Sequence, residues 1–170
     1  MNKKELYDQS LTRQRMLTIR NYQAQDKESC LLAFKTNVPT YFTDEETSDF
    51  STFLERLGNA SALNTSYFVV EWNQNVIGCG GFGDKDDCGI ISLCWGLISE
   101  NYHKKGFGKA LLLHRLNALK SLYPGLPLVM DTTQHSYLFF EKYGFQTIKI
   151  TENFYATGLH RYDMSWQESS

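Results

Sequence analysis

Apolar residues recur along this chain with two different periods, and each change of period marks a new element. Met16-Leu17-Thr18-Ile19-Arg20 alternates apolar and polar, as a half-buried strand does. Asp26 stands at a helix-cap position, and Leu31, Leu32 and Phe34 follow at helical spacing until Pro39 ends the run. Thr43-Asp44-Glu45-Glu46 opens a second helix with Phe50, Phe53, Leu54 and Leu57 along one side, and Gly58-Asn59 stops it. Tyr67 to Trp72, an Asn73-Gln74-Asn75 turn and Val76-Ile77 predict a hairpin, with a further strand running through Ile90 to Ile98. Leu111, Leu112, Leu116 and Leu119 return to helical spacing, a strand follows at Leu128 to Asp131, a short helix surrounds Phe139, and a last hairpin runs from Gln146 to Trp166. The order β-α-α-β-β-β-α-β-α-β-β predicts a mixed α+β domain over 15–168, preceded by a polar arm over 1–14.

Composition narrows this picture in three places. At 170 residues and 42% hydrophobic content, the chain is long and apolar enough for one folded domain with a real core. A net charge of −2 offers no electrostatic case for nucleic acid or an anionic membrane. The polar N-terminus and the lack of any run near the ~20 apolar residues of a membrane span lead us to expect a cytoplasmic protein. Cys30, Cys79, Cys88 and Cys94 form no C-x-x-C pair, so reduced thiols are expected and no metal centre.

The chemistry concentrates at His103-Lys104-Lys105-Gly106-Phe107-Gly108-Lys109-Ala110, between an apolar strand and a helix. Glycines at such a junction let the backbone turn tightly and leave room for a ligand. The free amides of the first helical turn, with the positive end of the dipole and three lysines beside them, suit a phosphate. A P-loop would need Gly at position 103 and Ser or Thr at 110, where His103 and Ala110 stand. A literal G-x-G-x-x-G does occur at Gly78 to Gly83, but a polar turn follows it where a dinucleotide fold requires a helix. That stretch reads as a glycine-rich strand.

Basic-x-x-G-x-G-x-A at a helix start resembles the acyl-CoA pyrophosphate loop of the GNAT superfamily of N-acyltransferases. Downstream, Ser136-Tyr137-Leu138-Phe139-Phe140-Glu141-Lys142-Tyr143-Gly144-Phe145 resembles that family's second signature, a short helix ending in Y-E-K-x-G-F. The two motifs stand in order with a strand between them, and a weaker likeness extends over about Met16 to Met164. The resemblance implies a GNAT-like α+β fold: a mixed, mostly antiparallel sheet, splayed near its centre and flanked by helices on both faces. It implies an acetyl-CoA-dependent N-acetyltransferase, acting by direct attack of a primary amine in a ternary complex.

It further implies that His103, Lys104, Lys105, Gly106, Phe107, Gly108, Lys109 and Ala110 hold the pyrophosphate. Leu97 and Ile98 would pair through backbone with the pantetheine arm, Ile98 supplying an amide to the thioester carbonyl. Thr133, Gln134, Ser136 and Phe139 would border pantetheine and adenine, and Lys142 would reach the 3′-phosphate side. Tyr41, Phe42, Tyr155 and His160 fall where acceptors usually meet this architecture, close to the acidic run Asp44-Glu45-Glu46, Phe154 and Arg161.

Three positions depart from the family pattern. His103 replaces the usual Gln or Arg, Phe140 replaces the tyrosine that protonates the departing thiolate, and Ser92 stands where many relatives carry Glu. Asp131 is the leading candidate to accept the amine's proton through water, ahead of Glu100 and His135; the alternative has it capping the turn at Thr132-Thr133. The acceptor, a small molecule or a peptide amine, is left open, as is the choice between monomer and homodimer. A different function, an acyl-CoA-binding sensor with little or no catalysis, is favoured by Phe140 and Ser92.

Overall fold

The computed structural model describes Lys4 and residues 16–59, 64–84 and 86–168. The arm expected over 1–14 lies, Lys4 apart, outside the described residues. Seven strands form one sheet: β1 (Leu17–Asn21), β2 (Thr65–Trp72), β3 (Asn75–Gly83), β4 (Ile91–Ile98), β5 (Leu128–Thr132), β6 (Phe145–Ala156) and β7 (Leu159–Trp166). Their spatial order is β1-β2-β3-β4-β5-β7-β6. All neighbours are antiparallel except β4 and β5, which are parallel. The helices are α1 (Lys27–Lys35), α2 (Glu46–Gly58), α3 (Phe107–Leu122) and α4 (Tyr137–Glu141). Element order follows the one read from the hydrophobic periods, and Gly78 to Gly83 is strand β3.

Strand alternation sends neighbouring residues to opposite faces, and a helix layer covers each. On one face, Leu112, Leu116 and Leu119 of α3 pack against Phe68, Phe82, Ile91, Leu128, Met130 and Met164. On the other, Cys30 and Phe34 of α1 and Phe50 and Leu54 of α2 cover Tyr67, Val69, Cys79 and Leu97. A fully buried leucine such as Leu112 contributes about 2 kcal/mol through the apolar area it removes from water.

Two helix boundaries differ from expectation. Asp26 does not cap α1 through its side chain. Its carboxylate is held by Arg20, at 2.8 Å to each Nη atom, and accepts the Gln23 amide at 2.8 Å, closing a 3-10 turn at Ala24–Asp26. α1 also ends before Pro39 takes effect: Thr36 Oγ1 and Asn37 Nδ2 both donate to the Ala33 carbonyl, competing with the helical ladder.

The centre of the sheet positions the site. β4 and β5 share only two paired positions, Ile91 with Leu128 and Ser92 with Val129, and then part. On its other side β4 stays paired to β3, except at a bulge between the Gly81–Cys94 and Cys79–Leu97 pairs. Trp95, inside that bulge, has φ +40. Its carbonyl is tied down by the Tyr67 hydroxyl at 2.8 Å. The far half of β4 therefore presents an unpaired edge to a wedge-shaped gap.

Candidate active site

The glycine-led turn stands at the wide end of this gap. Lys104 (φ +59) and Gly106 (φ +87) both take the left-handed conformation, and a Cβ on Gly106 would have nothing within 4 Å. The first helical bond of α3 runs from the Ala110 amide to the Gly106 carbonyl, at 3.1 Å. The amides of Phe107, Gly108 and Lys109 precede it and have no intrahelical acceptor. Phe107 anchors the turn from beneath, its ring edge-on to Trp72 and Tyr102 at 5.2 and 5.8 Å. Lys104, Lys105 and Lys109 are exposed around the amides, Lys105 with its Nζ 5.7 Å from the Tyr102 ring. This is an anion cradle built mainly of backbone, with cationic side chains at its rim.

Strand alternation assigns directions along β4. Leu97 pairs with Cys79 and the Ser99 amide donates to Ile77 at 2.7 Å, so both face β3. Ile98, between them, turns its amide and carbonyl to the gap. That carbonyl accepts from Asn37 Nδ2 at 2.9 Å and lies 2.7 Å from His103 Nε2. His103 is thus folded back on the strand with one ring nitrogen engaged. Tyr41 stands edge-on to both His103 and His135, with ring centroids 5.4 and 5.9 Å away, and so spans the ends of β4 and β5.

The second motif meets the first through one ring. A Cβ on Gly108 would lie 3.8 Å from Phe139, so α4 packs against the opening turn of α3. Thr133 is buried and its hydroxyl accepts the His135 amide at 3.2 Å, which shapes the turn after β5. Gln134 reaches across to the β6–β7 hairpin, donating to Gly158 and accepting from the His160 amide. Ser136 precedes α4 and Lys142 follows it, exposed. Phe140 points inward, edge-on to buried Phe145 at 5.7 Å. Tyr137 stacks on Tyr162 at 4.3 Å. Tyr143 packs on Phe139, with ring centroids 5.2 Å apart.

Across the gap, Asp131 sits at the end of β5, paired in register with Asp163 of β7. Its Oδ2 accepts the Tyr155 hydroxyl, and its Oδ1 is 3.7 Å from Arg161 Nη2. Burial and the Asp131 carboxylate raise the Tyr155 phenol well above its ordinary value. Glu46, at the start of α2, accepts the Thr43 amide at 2.7 Å; burial raises its pKa, and Asp131 adds to the effect. Ser92, Asp131, Arg161, Asp163 and Lys149 share a hollow of ≈ 330 Å³ on this side. His160 is engaged too, its Nδ1 accepting the Asn153 amide at 3.0 Å. Phe42 lies in the aromatic wall, 4.5 Å from Phe34 and 6.2 Å from Trp95 between ring centroids.

Sequence reasoning missed Asn37 and Trp95 as residues of the gap. The glycine after Trp95, in mid-strand, was the available sign of a bulge. Asn37 carried no local sign, because its partner Ile98 is 61 positions away.

A profile of the family described as "Acetyltransferase (GNAT) domain" matches residues 64–147, from the start of β2 into β6. No curated protein matches the chain in sequence. Solved structures do match in fold. A GNAT-family protein from Desulfovibrio desulfuricans shares 18% identity at a TM-score of 0.75, over 89% of this chain and 99% of its own. The PaiA N-acetyltransferase of Thermoplasma acidophilum, in complex with coenzyme A, shares 18% identity at 0.66, over 90% and 99%. The ribosomal-protein-S18-alanine N-acetyltransferase of Escherichia coli shares 15% at 0.67, over 91% and 97%. Motif order, splayed sheet and profile agree: residues 64–147 match the GNAT acetyltransferase domain, and the chain has the GNAT fold.

Proposed function

We propose that this chain is an acyl-CoA-dependent N-acyltransferase that moves an acetyl group from acetyl-CoA to a primary amine by direct attack in a ternary complex. The observation that carries the reading is the backbone cradle at Gly106–Lys109 opening onto the unpaired edge of β4. The fit is physical. Positive φ at Gly106 and the open space around it allow close approach of a diphosphate. Amides from Lys104 to Lys109 would bind it, with Lys104, Lys105, Lys109 and Lys142 neutralising phosphate charge. Ile98 would guide the pantetheine arm and offer its amide to the thioester carbonyl as an oxyanion donor, whereas the Leu97 backbone, expected to share that pairing, is turned to β3. Thr133, Gln134, Ser136 and Phe139 would form the opposite wall.

Bound there, acetyl-CoA supplies an activated acyl group. The chain's own task is to orient it and to take a proton from the amine, whose ordinary pKa of ~10.4 keeps it charged in water. Asp131 is the acceptor we favour, acting through water, with its direction fixed by Tyr155 and Arg161. The carboxylates of Asp131 and Glu46 suit an acceptor that arrives as a cation, and Tyr41, Tyr155 and His160 stand around that approach.

A second reading, an acyl-CoA sensor with little or no catalysis, draws on one observation: Phe140 is packed on Phe145 and offers no proton to a departing thiolate. One experiment separates the two. Thiol release from acetyl-CoA is followed across a panel of amines, amino acids and peptides, in the wild type and in Gly108→Asp. Turnover abolished by the substitution supports the enzyme; tight coenzyme A binding without turnover on any acceptor supports the sensor.

A further inference from the structure

Arg115 interrupts the leucine stripe on the inner face of α3 and is 4% exposed. A cation in that position is desolvated and calls for an anion. Among the described residues none meets it. Its Nε is buried with no hydrogen-bond partner, and no carboxylate forms an ion pair with it. The titratable groups that sense its charge are Cys94 of β4, Tyr67 of β2 and Cys79 of β3, which pack into the α1–α2 core. Neither Cys94 nor Tyr67 supplies a charge: burial pushes the Cys94 thiol up to about 12, and the Tyr67 phenol well above its ordinary value. The Tyr67 hydroxyl already donates its hydrogen bond to the Trp95 carbonyl. The Cys79 thiol lies against Cys30 and Tyr67 in the α1–α2 core.

Two glycines create the space the guanidinium fills. A Cβ on Gly80 would lie 3.3 Å from Arg115 Cζ, and one on Gly96 would lie 2.8 Å from Nη1 and 2.9 Å from Nη2. Gly96 follows the bulge residue Trp95 and is itself exposed, because β5 has already diverged from β4. The charge therefore stands directly behind a strip of backbone that has no side chain and borders the gap. A ligand lying beside β4 like an extra strand runs roughly 4.8 Å from that backbone. Travelling from Ile98 towards Cys94, it passes the guanidinium.

We propose that Arg115 is the electrostatic partner of the thioester sulfur, stabilising the thiolate that departs from coenzyme A. The inference rests on the acyltransferase reading and names the group that acts where Phe140 cannot. In the step, the amine lone pair forms the C–N bond to the acyl carbon. The C–S bond breaks and its electron pair goes to sulfur. The surplus proton of the amine passes to Asp131 or water, and the thiolate takes a proton from water on release. Arg115 transfers no proton. It acts through space across Gly96, a charge-stabilising role set by the bulge.

The first measurement needs only the wild-type protein. Coenzyme A is bound and its thiol titrated by the ultraviolet absorbance of the thiolate. The bound thiol is expected about one unit or more below free coenzyme A in the same buffer, as thiols beside cations are. A bound thiol that titrates at or above the free value overturns the proposal. Arg115→Met is then expected to erase the shift and lower kcat roughly 10- to 100-fold, with the Kd for coenzyme A within about threefold of wild type. Arg115→Lys is expected to keep most of the shift and of the rate. Unchanged kcat in the Met variant also overturns the proposal; should that variant fail to fold, the wild-type titration and the Lys variant decide. Absence of coenzyme A binding to the wild type sinks both this inference and the acyltransferase reading, whereas binding with an unshifted thiol sinks this inference alone.

Discussion

Asp131 is gripped from two sides, by the Tyr155 hydroxyl at Oδ2 and by Arg161 near Oδ1. A carboxylate oriented in this way keeps lone pairs open for the amine's proton, which is what a positioned base requires. Tyr155 is no competitor for the role, since burial and Asp131 itself both hold its proton on. Asp131→Asn is therefore expected to lower kcat/KM for acylation about 100-fold while the Kd for acetyl-CoA stays within about threefold. If the Asn variant keeps its rate, the proton goes elsewhere, and Glu46 is the next carboxylate to replace. Asp131 was visible in the sequence as an acid ending a strand. The grip on it was not, because Tyr155 and Arg161 arrive from the last hairpin, 24 and 30 positions away. His103 was also visible, as a basic residue in the motif; its engagement with Ile98 depends on how the 3-10 turn Glu100–Tyr102 folds back.

Among the elements, the junction of β1 and α1 carries a consequence for stability. Arg20 joins Asp26 and Glu71, with 2.8 Å contacts to each. Its guanidinium, opposed by burial, holds the Asp26 carboxyl below the usual carboxylate range. A carboxyl depressed on folding contributes stability that is complete above its unfolded pKa, near ~3.9. That contribution is lost as pH falls through the lower folded value. Asp26→Asn is expected to cost about 2 kcal/mol at neutral pH, and to flatten the acid side of the stability curve. Denaturant midpoints taken from pH 7 down to pH 3 check both; a variant whose loss is as large at pH 3 as at pH 7 would refute the linkage. The second element test is at α3. Gly106→Ala forces a Cβ into the left-handed region at φ +87, expected to cost about 1–2 kcal/mol in thermal or denaturant unfolding even though no neighbour is struck. The glycine turn before α3 was legible because turn residues act locally, whereas Asp26, read as a helix cap, is engaged by Arg20 instead. The bulge in β4 was not legible, since it needs β3 beside it to exist.

At the scale of the molecule, hydrophobic periods supplied the order of strands and helices, and burial then decided the layers. What periodicity cannot state is where a sheet opens. β4 reads as one continuous apolar strand from Ile90 to Ile98, yet only its first two positions find β5. The resemblance of two motifs, rather than any pattern of apolar residues, pointed to the opening. The architecture leaves β1–β4 and the β5–β7–β6 group joined in the sheet by that short parallel contact, with α3 packed across both. A ligand lying in the gap must therefore bridge the two groups of strands. At a concentration of 100 times its Kd, coenzyme A stabilises the folded state by about 2.7 kcal/mol, which for a chain of this length raises Tm by roughly 5–10 °C. Hydrogen exchange tells where that stabilisation acts. Slowed exchange is expected at the Phe107–Lys109 amides, at Ile98, and across the gap at Met130 to Thr132. In Gly108→Asp, whose new carboxylate faces the diphosphate, both the Tm shift and the protection should vanish at the same ligand concentration. Protection confined to the turn before α3, with β5 unchanged, would mean that the arm does not enter the gap, and the bulge would then have no thioester to serve.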